Sequence, residues 1–259
     1  PCFLTFRFDV TASSAHYTHT EIPLKIVVAG ASGYVGRNIV PILRDECDKL
    51  VLVGRSPDKL KRIFPDLMCC TLDELPSVAQ GFDSLVHLAV LNNNVEGTEA
   101  DFQKVNAELT CETAKVAEAC EIKKFYNISS VHVLDDQNQS LYARSKRAAI
   151  KLLEDLQNIE IINVYLPFVR GAEWNGKLAF LNNLPSFLAT PIQSCLLALK
   201  PSVKVKRVAD FILKSQSVQN FIILSESQSQ NLTYKIIKRG LDLLFAMTVI
   251  GLLWWALLI

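Results

Sequence analysis

Short apolar, β-branched runs alternate with segments of helical period along the first two thirds of the chain. Such runs are typical of buried parallel strands, and they cover residues 24–29, 50–53, 84–90, 124–128 and 161–166. Predicted helices lie between them at residues 34–43, 58–63 and 141–156, together with a longer one on which Phe102, Val105, Leu109, Val116 and Cys120 share one face. Strands that alternate with helices predict an α/β fold with a doubly wound parallel sheet of the Rossmann type.

The pattern weakens after Pro167. Glycine, asparagine and proline interrupt residues 168–200, and beyond them only a helix at 208–213 and a strand at 221–224 stand out. We therefore expect four parts in the chain: an unstructured leader at 1–22, a sheet domain at 23–167, a small substrate lobe over the carboxyl edge of the sheet at 168–232, and a truncated hydrophobic helix at 233–259.

Composition narrows the classes of function. Half of the 259 residues are hydrophobic, and the formal net charge is +1. Because no basic run interleaved with aromatic residues is present, a nucleic-acid partner is not expected. The seven cysteines are scattered and form no CxxC pair, so we expect neither a disulfide framework nor a bound metal, and a reducing cytosol fits better.

Three glycines follow the first predicted strand in the stretch Gly30-Ala-Ser-Gly-Tyr-Val-Gly36. A strand that opens directly into a helix presents free backbone N–H groups and a positive helix end to a pyrophosphate. Gly30 permits the tight turn, Gly33 lets the phosphate approach the backbone, and Gly36 lets helix and strand pack closely. The sheet domain is thus predicted to bind a dinucleotide.

The end of the second strand selects between the two nicotinamide dinucleotides. An acidic residue there would bind the ribose 2′-hydroxyl of NAD, but this chain has Gly54, Arg55 and Ser56 instead. A guanidinium can bind a 2′-phosphate through two charge-assisted hydrogen bonds. The sequence therefore favours NADP slightly over NAD.

Tyr142 and Lys146 have the spacing that brings two side chains to one face of a helix. A tyrosine with a pKa of about 10 is a poor base at neutral pH, and a nearby cation would lower that pKa. Ser129 and Ser130 end the preceding strand, where a hydroxyl can hold a substrate oxygen for proton transfer. These residues predict acid–base chemistry at a carbonyl or hydroxyl group.

Together these motifs resemble the extended branch of the short-chain dehydrogenase/reductase superfamily, which includes sugar-nucleotide epimerases, dehydratases and reductases. The resemblance runs from about Lys25 to Leu224, and its segments are Gly30–Gly36, Phe82-Asp-Ser-Leu-Val-His-Leu-Ala89, Val105-Asn106, Phe125-Tyr-Asn-Ile-Ser-Ser130, Tyr142–Lys146 and Leu166-Pro167.

The resemblance implies a role for each of these residues. Tyr142 would donate or accept the proton at a sugar hydroxyl or ketone, Lys146 would hold the nicotinamide ribose, and Ser130 would orient the substrate oxygen. Asn106 would support the site. The implied cofactor-binding set is Gly30, Ser32, Gly33, Tyr34, Val35, Gly36, Arg55, Ser56, Leu88, Ala89, Asn106, Ser129, Tyr142, Lys146 and Pro167.

Departures from the family pattern narrow the reaction. Dehydratases of the family follow the site serine or threonine with Asp-Glu, whereas this chain has Val131-His132, so the resemblance favours a C4 epimerase or a 4-keto reductase acting on a nucleotide-linked hexose. Basic residues replace the usual acids in Val205-Lys-Arg-Val-Ala209. The alternatives are a catalytically weak nucleotide-binding or scaffolding module, or a reductase of another small carbonyl compound.

The last seventeen residues, Leu243 to Ile259, are almost wholly apolar. As a helix they would reach about 26 Å, near the lower limit for crossing a bilayer, although a packed C-terminal helix is the other interpretation. Lys235, Lys238 and Arg239 precede them and would hold the rest of the chain at the cytoplasmic face of a bacterial inner membrane. The segment Lys238-Arg-Gly-Leu-Asp242 also resembles the start of bacterial polyprenyl-phosphate sugar transferases, which implies surface polysaccharide synthesis.

Family members pair through two long helices, here about 98–120 and 141–157. The resemblance therefore also implies a possible homodimer.

Overall fold

A seven-stranded, wholly parallel sheet forms the centre of the protein. The computed structural model describes residues 24–92, 95–174, 176–214, 219–228 and 231–253; the predicted leader at 1–22 lies outside them. The strands of this sheet are β1 (Lys25–Ala29), β2 (Lys49–Val53), β3 (Met68–Cys70), β4 (Ser84–His87), β5 (Lys124–Ser130), β6 (Glu160–Leu166) and, late in the chain, β9 (Phe221–Ile223). Their spatial order is β3-β2-β1-β4-β5-β6-β9, which confirms the predicted fold class.

Helices connect the strands and cover both faces of the sheet. They are α1 (Tyr34–Glu46), α2 (Pro57–Ile63), α3 (Leu75–Val78), α4 (Glu99–Gln103), α5 (Leu109–Ala119), α6 (Leu141–Leu153), α7 (Ser186–Leu199), α8 (Val205–Lys214) and α9 (Leu232–Leu253). A π-helical turn, Lys104–Glu108, joins α4 to α5, and two short 3₁₀ segments lie at Val131–Leu134 and Gly176–Asn183.

Strand alternation divides the core into two layers. Ile26 and Val28 of β1 pack in one apolar cluster with residues of α1 and α8, whereas Val27 and Ala29 pack in the other with residues of α5 and α6. Since successive side chains of a strand point to opposite faces, a continuous apolar run such as β1 can serve both layers.

The strand order reverses between β1 and β4, which both leave the sheet at the same edge. In register, Ala29 lies beside Val53 and His87, and Ser130 lies beside Leu166. Ligands of open parallel sheets bind outside the carboxyl ends of the strands at such a reversal. The fold thus brings the glycine turn and the end of β5 to one edge.

The boundary predicted for the lobe at 168–232 differs from the structure. The predicted strand at 221–224 is β9, which pairs with β6 inside the main sheet. Helix α8 packs against α1, and its Val208 and Ile212 are buried in the same core cluster as β1. The amphipathic face of α8 explains the placement, because it can bury its apolar side only against the sheet layer. Outside the sheet remain β7 (Phe168–Arg170) and β8 (Ser202–Lys204), which pair in parallel, and α7.

Helix α9 contacts α7 and has no buried residue. Among the residues that the structure describes, no helix is both long enough and apolar enough to cross a bilayer. Residues 254–259, the end of the predicted hydrophobic helix, lie outside the described residues.

Candidate active site

The glycine turn after β1 has the geometry that its sequence predicts. Gly30 has a φ of +86°, and a Cβ built on it would lie 2.4 Å from the backbone N of Ala89. A Cβ on Gly36 would lie 2.5 Å from the Cα of Ala31. Gly33 is exposed, and a Cβ there would meet only the Gly30 carbonyl oxygen at 3.4 Å. Two glycines are thus required by the fold itself, while the third leaves an open backbone surface.

The start of α1 forms a cradle that fits an anionic group. Gly33 is its N-cap, no side chain caps it, and its first turn contains no acidic residue. Ser32, Tyr34 and Val35 are partly exposed around it. Free N–H groups and a positive helix end attract phosphate, so this turn would hold the pyrophosphate of a dinucleotide.

Alanine substitutions should separate the two kinds of glycine. Gly36→Ala forces a Cβ into the Ala31 backbone and should lower the free energy of unfolding by about 1–3 kcal/mol. Gly33→Ala meets no such contact, so we expect near wild-type stability but at least about tenfold weaker NAD binding. Urea unfolding and isothermal titration measure the two quantities. Equal losses of stability in both variants would contradict the assignment.

Arg55 and Ser56 are exposed immediately after β2. No ion pair or hydrogen bond to the Arg55 guanidinium occurs within the described part of the chain. The structure therefore leaves this guanidinium available to a ligand at the carboxyl edge of the sheet.

Tyr142 and Lys146 lie one turn apart on α6, next to the end of β5. Ser140 fixes the start of this helix, because its hydroxyl accepts a hydrogen bond from the Ala143 N–H at 3.2 Å. The Ser130 side chain lies close enough to the phenol of Tyr142 to lower its pKa, and the Ser130 hydroxyl accepts from the His132 N–H at 3.3 Å. Strand β5 and helix α6 thus bring the predicted phenol and hydroxyl together.

Ser129 points away from this pair. Its side chain is buried, and its hydroxyl oxygen has no hydrogen-bond partner among the described residues. Of the two adjacent serines, only Ser130 presents its hydroxyl to the phenol, as the alternation of a strand requires.

Burial dominates the electrostatics of the acid–base pair. It raises the pKa of Tyr142, and the Ser130 side chain partly lowers it. Burial also lowers the pKa of Lys146 to about 8, and its Nζ donates to the Ile128 carbonyl oxygen at 3.3 Å. The predicted lowering of the phenol pKa by Lys146 is therefore corrected: the lowering contribution comes from Ser130.

Asn106 anchors the loop after β4 to α6. It is fully buried in the π-helical turn, and its side-chain amide accepts from the Leu91 N–H at 2.7 Å and donates to the Leu91 carbonyl at 2.9 Å. It also donates to Ser145 Oγ at 3.0 Å. This arrangement fixes the loop that begins with the half-buried Leu88 and Ala89, and it agrees with the supporting role that the resemblance implies.

Three residues near the glycine turn were not identified as site residues by the sequence analysis. Arg37 donates from Nε to the Ser32 carbonyl at 2.9 Å, and Asn38 accepts from the Ala172 N–H at 2.9 Å. Trp174 stacks on Phe168, with ring centroids 5.7 Å apart. The only sequence signal was their closeness to the third glycine or to the half-buried Pro167.

Two open cavities adjoin these residues. One of about 530 Å³ is lined by Ser32, Tyr34, Arg37, Asn38, Ala172, Glu173 and Trp174. The other, of about 450 Å³, shares Tyr34, Asn38, Ala172, Glu173 and Trp174 with the first and extends to residues of β7, α7, β8 and α8, including Phe168, Arg170, Gln193, Lys204 and Lys206. Within the described ranges, no group of three or more His, Cys, Asp or Glu side chains could hold a metal ion.

A glycine turn at the strand-order reversal of a parallel sheet, with a Ser–Tyr–Lys set at the same edge, is typical of a dinucleotide-binding fold of the short-chain dehydrogenase type. The model of the NAD dependent epimerase/dehydratase family matches residues 26–189. Because this match spans more than half of the chain, the protein belongs to that family. No curated protein sequence matches the chain significantly.

Solved structures with the same fold include several sugar-nucleotide enzymes. UDP-N-acetylglucosamine 4-epimerase from Methanobrevibacter ruminantium, in complex with UDP-N-acetylmuramic acid, is 19% identical with a TM-score of 0.58, over 85% of this chain and 83% of that one. The corresponding Bacillus cereus enzyme is 17% identical, with a TM-score of 0.56 over 78% and 75%. The Bordetella bronchiseptica enzyme WbmG, in complex with NAD, is 14% identical, with a TM-score of 0.61 over 81% and 74%.

Proposed function

We propose that the protein is an NAD(P)-dependent oxidoreductase that epimerises or reduces C4 of a nucleotide-linked hexose. The observation that carries this proposal is that Ser130 and Tyr142 lie together beside the buried Lys146, at the same sheet edge as the open glycine turn. The 4-epimerase structures of similar fold, one of them binding a UDP sugar, support the substrate class.

Each of the three site residues has a separate role in the proposed reaction. Ser130 donates to the substrate oxygen and holds it within reach of Tyr142, whose phenol gives or takes the proton at that oxygen. Lys146 holds the cofactor ribose. When bound, the nicotinamide dinucleotide supplies hydride exchange with the carbon that bears this oxygen. Val131 and His132 stand where dehydratases of the family carry the Asp-Glu pair that serves as acid and base in water elimination, so dehydration is disfavoured.

Assays with sugar nucleotides test the proposal directly. Purified protein is incubated with UDP- and dTDP-linked hexoses plus NAD, and with their 4-keto derivatives plus NADPH, while absorbance at 340 nm and the sugar configuration by NMR are followed. A C4 epimer or a reduced sugar supports the proposal. Dinucleotide binding without turnover of any of these substrates would instead favour a nucleotide-binding or scaffolding module.

The exposed guanidinium of Arg55 supports a preference for NADP. We expect Arg55→Ala to weaken NADP binding by about tenfold, because a charge-assisted contact to the 2′-phosphate is lost, and to leave NAD binding unchanged. Arg62→Ala, an exposed arginine on the following helix, is the matched control. An equal effect of Arg55→Ala on both dinucleotides would contradict the preference.

We also propose that the protein acts at the cytoplasmic face of a bacterial inner membrane, in surface polysaccharide synthesis. Large apolar side chains of α9, among them Leu244, Phe245 and Met247, are 61–71% exposed, and Lys238 and Arg239 precede them on the same helix. An apolar helix with a basic start suits an anionic lipid surface.

Vesicle sedimentation should detect this association. We expect co-sedimentation with vesicles of phosphatidylglycerol and phosphatidylethanolamine, and loss of most binding in the Phe245→Glu/Met247→Glu variant, because two charges oppose burial in lipid. A Glu108→Gln variant, changed at an exposed position of the π-helical turn, serves as the control. Equal sedimentation of all three proteins, or none with wild type, would contradict the membrane proposal.

We also propose that two copies of the protein pair through the helical segments 98–120 and 141–157. Light scattering at several protein concentrations should give twice the mass of a single chain. A mass equal to that of a single chain at every concentration would contradict the homodimer.

A further inference from the structure

A buried hydrogen-bond chain starts at His87, the last residue of β4. Its ring is fully buried and stacks on Phe125, with centroids 5.8 Å apart. Nε2 of His87 lies 3.1 Å from Thr110 Oγ1, and the Thr110 hydroxyl donates to the Asn106 carbonyl at 2.8 Å. Since a hydroxyl carries a single hydrogen, Nε2 must carry the other one and donate to Thr110.

The chain continues from Asn106 to the catalytic helix. The Asn106 amide binds the Leu91 backbone and donates to Ser145 Oγ. The Ser145 hydroxyl in turn donates to the Tyr142 carbonyl at 3.0 Å. One end of this hydrogen-bond chain therefore lies in β4, the strand that leads into the loop beginning with Leu88 and Ala89. The other end lies on the turn of α6 that carries both Tyr142 and Lys146.

The histidine remains a fixed hydrogen-bond donor over the working pH range. Burial lowers its pKa to about 3, the charge of Lys146 acts in the same direction, and the Ala89 backbone acts in the opposite one. The ring is therefore neutral at neutral pH, and its hydrogen-bond pattern does not change when the site titrates.

The π-helical turn explains why these hydrogen bonds bear on the site. Such turns are uncommon and occur often at functional sites, and this one directs the Asn106 side chain between Leu91 and Ser145. From within the core, the Thr110 hydroxyl donates to the Asn106 carbonyl of the turn, and His87 donates to Thr110, so the polar groups of this link are paired where an unpaired one would be costly.

We propose that His87 and Thr110 are positioning residues of the reaction, an inference that rests on the proposed function. Through the hydrogen bonds His87–Thr110–Asn106 they hold the Asn106 amide in place, and the amide fixes the β4 loop relative to Tyr142 and Lys146. Neither residue touches the substrate.

Three threonine variants of the full chain test this inference. Thr110→Val keeps the shape but removes the hydroxyl, and Thr110→Ser restores it. Thr113→Val is the matched control, because Thr113 is equally buried on α5 and its hydroxyl donates to the Leu109 carbonyl at 2.7 Å without reaching the site. Thermal melts, NAD affinity, turnover and an ultraviolet titration of the Tyr142 phenol are measured on each. The titration is taken as the difference from the same variant carrying Tyr142→Phe.

We expect both valine variants to lose similar stability. Only Thr110→Val should shift the phenol titration, by about half a pH unit or more, and slow turnover roughly tenfold to a hundredfold. Its NAD affinity should stay within about twofold, and Thr110→Ser should recover both readouts.

An unchanged phenol titration in Thr110→Val, or an equal shift in Thr113→Val, would overturn the positioning role. If wild-type protein converts no sugar nucleotide, the proposed function fails. The titration of the Tyr142 phenol still decides whether the His87–Thr110–Asn106 hydrogen bonds set the environment of Tyr142.

Discussion

Tyr142→Phe will lower turnover by about 10²- to 10⁴-fold, the range that general acid–base catalysis contributes, while NAD affinity stays within about twofold. The phenol lies beside Ser130 and is half-buried at the sheet edge, so removing its oxygen leaves the substrate oxygen without a proton donor or acceptor. Since the ring is retained, the packing of α6 should be unchanged. Steady-state kinetics and isothermal titration measure the two quantities.

Tyr165→Phe is the control for this substitution. Tyr165 is a buried tyrosine of β6 whose ring packs at a tilt against Phe221, with ring centroids 4.8 Å apart, and it belongs to no part of the proposed machinery. We expect its turnover to match that of wild type. A Tyr142→Phe protein that retains full turnover would show that another group exchanges the proton and would remove Tyr142 from the chemistry.

Local spacing explains why much of the site could be predicted from the sequence. The role of Gly36 depends on its contact with Ala31 in the same strand–turn–helix unit, and the positive φ of Gly30 belongs to the turn itself. The Tyr142–Lys146 spacing depends only on helix geometry. The meeting of Ser130 and Tyr142 follows from the parallel topology, because β5 runs directly into the connection that leads to α6. Each inference needed only a few neighbouring residues or the strand order.

Contacts between distant segments could not be predicted in this way. Strand β3 was missed because it has three residues and begins with the exposed Met68, too short for an apolar run to be recognised. The placement of β9 beside β6 and the bond from Ala172 to Asn38 join segments more than fifty residues apart. No local pattern encodes such pairings.

The direction of the Tyr142 pKa shift shows a second limit. Sequence spacing places a cation near the phenol, but burial acts on both groups, and it opposes the charged form of each. The structure shows that burial is the largest cause for Tyr142 and for Lys146 alike. Burial of this kind depends on the whole packed core rather than on spacing.

Lys146→Met will make the protein more stable and nearly inactive. Lys146 is 1% exposed, and burial lowers its pKa from 10.5 to about 8. Below pH 8 the lysine is charged in both folded and unfolded chains, so the folded state bears the full cost of burying the charge, at most about 3 kcal/mol. Methionine has a similar length and no charge. We therefore expect a free energy of unfolding higher by up to about 3 kcal/mol at pH 7, with turnover reduced at least about a hundredfold.

The lowered pKa of Lys146 also predicts how the stability difference between the two proteins changes with pH. Between pH 8 and 10.5 the unfolded chain holds more protons at Lys146 than the folded chain does, so the stability of wild type rises with pH over that window. The advantage of the methionine variant should shrink as pH rises and vanish near pH 10.5. Urea unfolding without added cofactor at pH 7, 8.5 and 10 measures it. Lys151→Met, an exposed lysine on the same helix, should change stability little at any pH. A methionine variant that is less stable than wild type at pH 7 would show that the Lys146–Ile128 hydrogen bond outweighs the cost of burial.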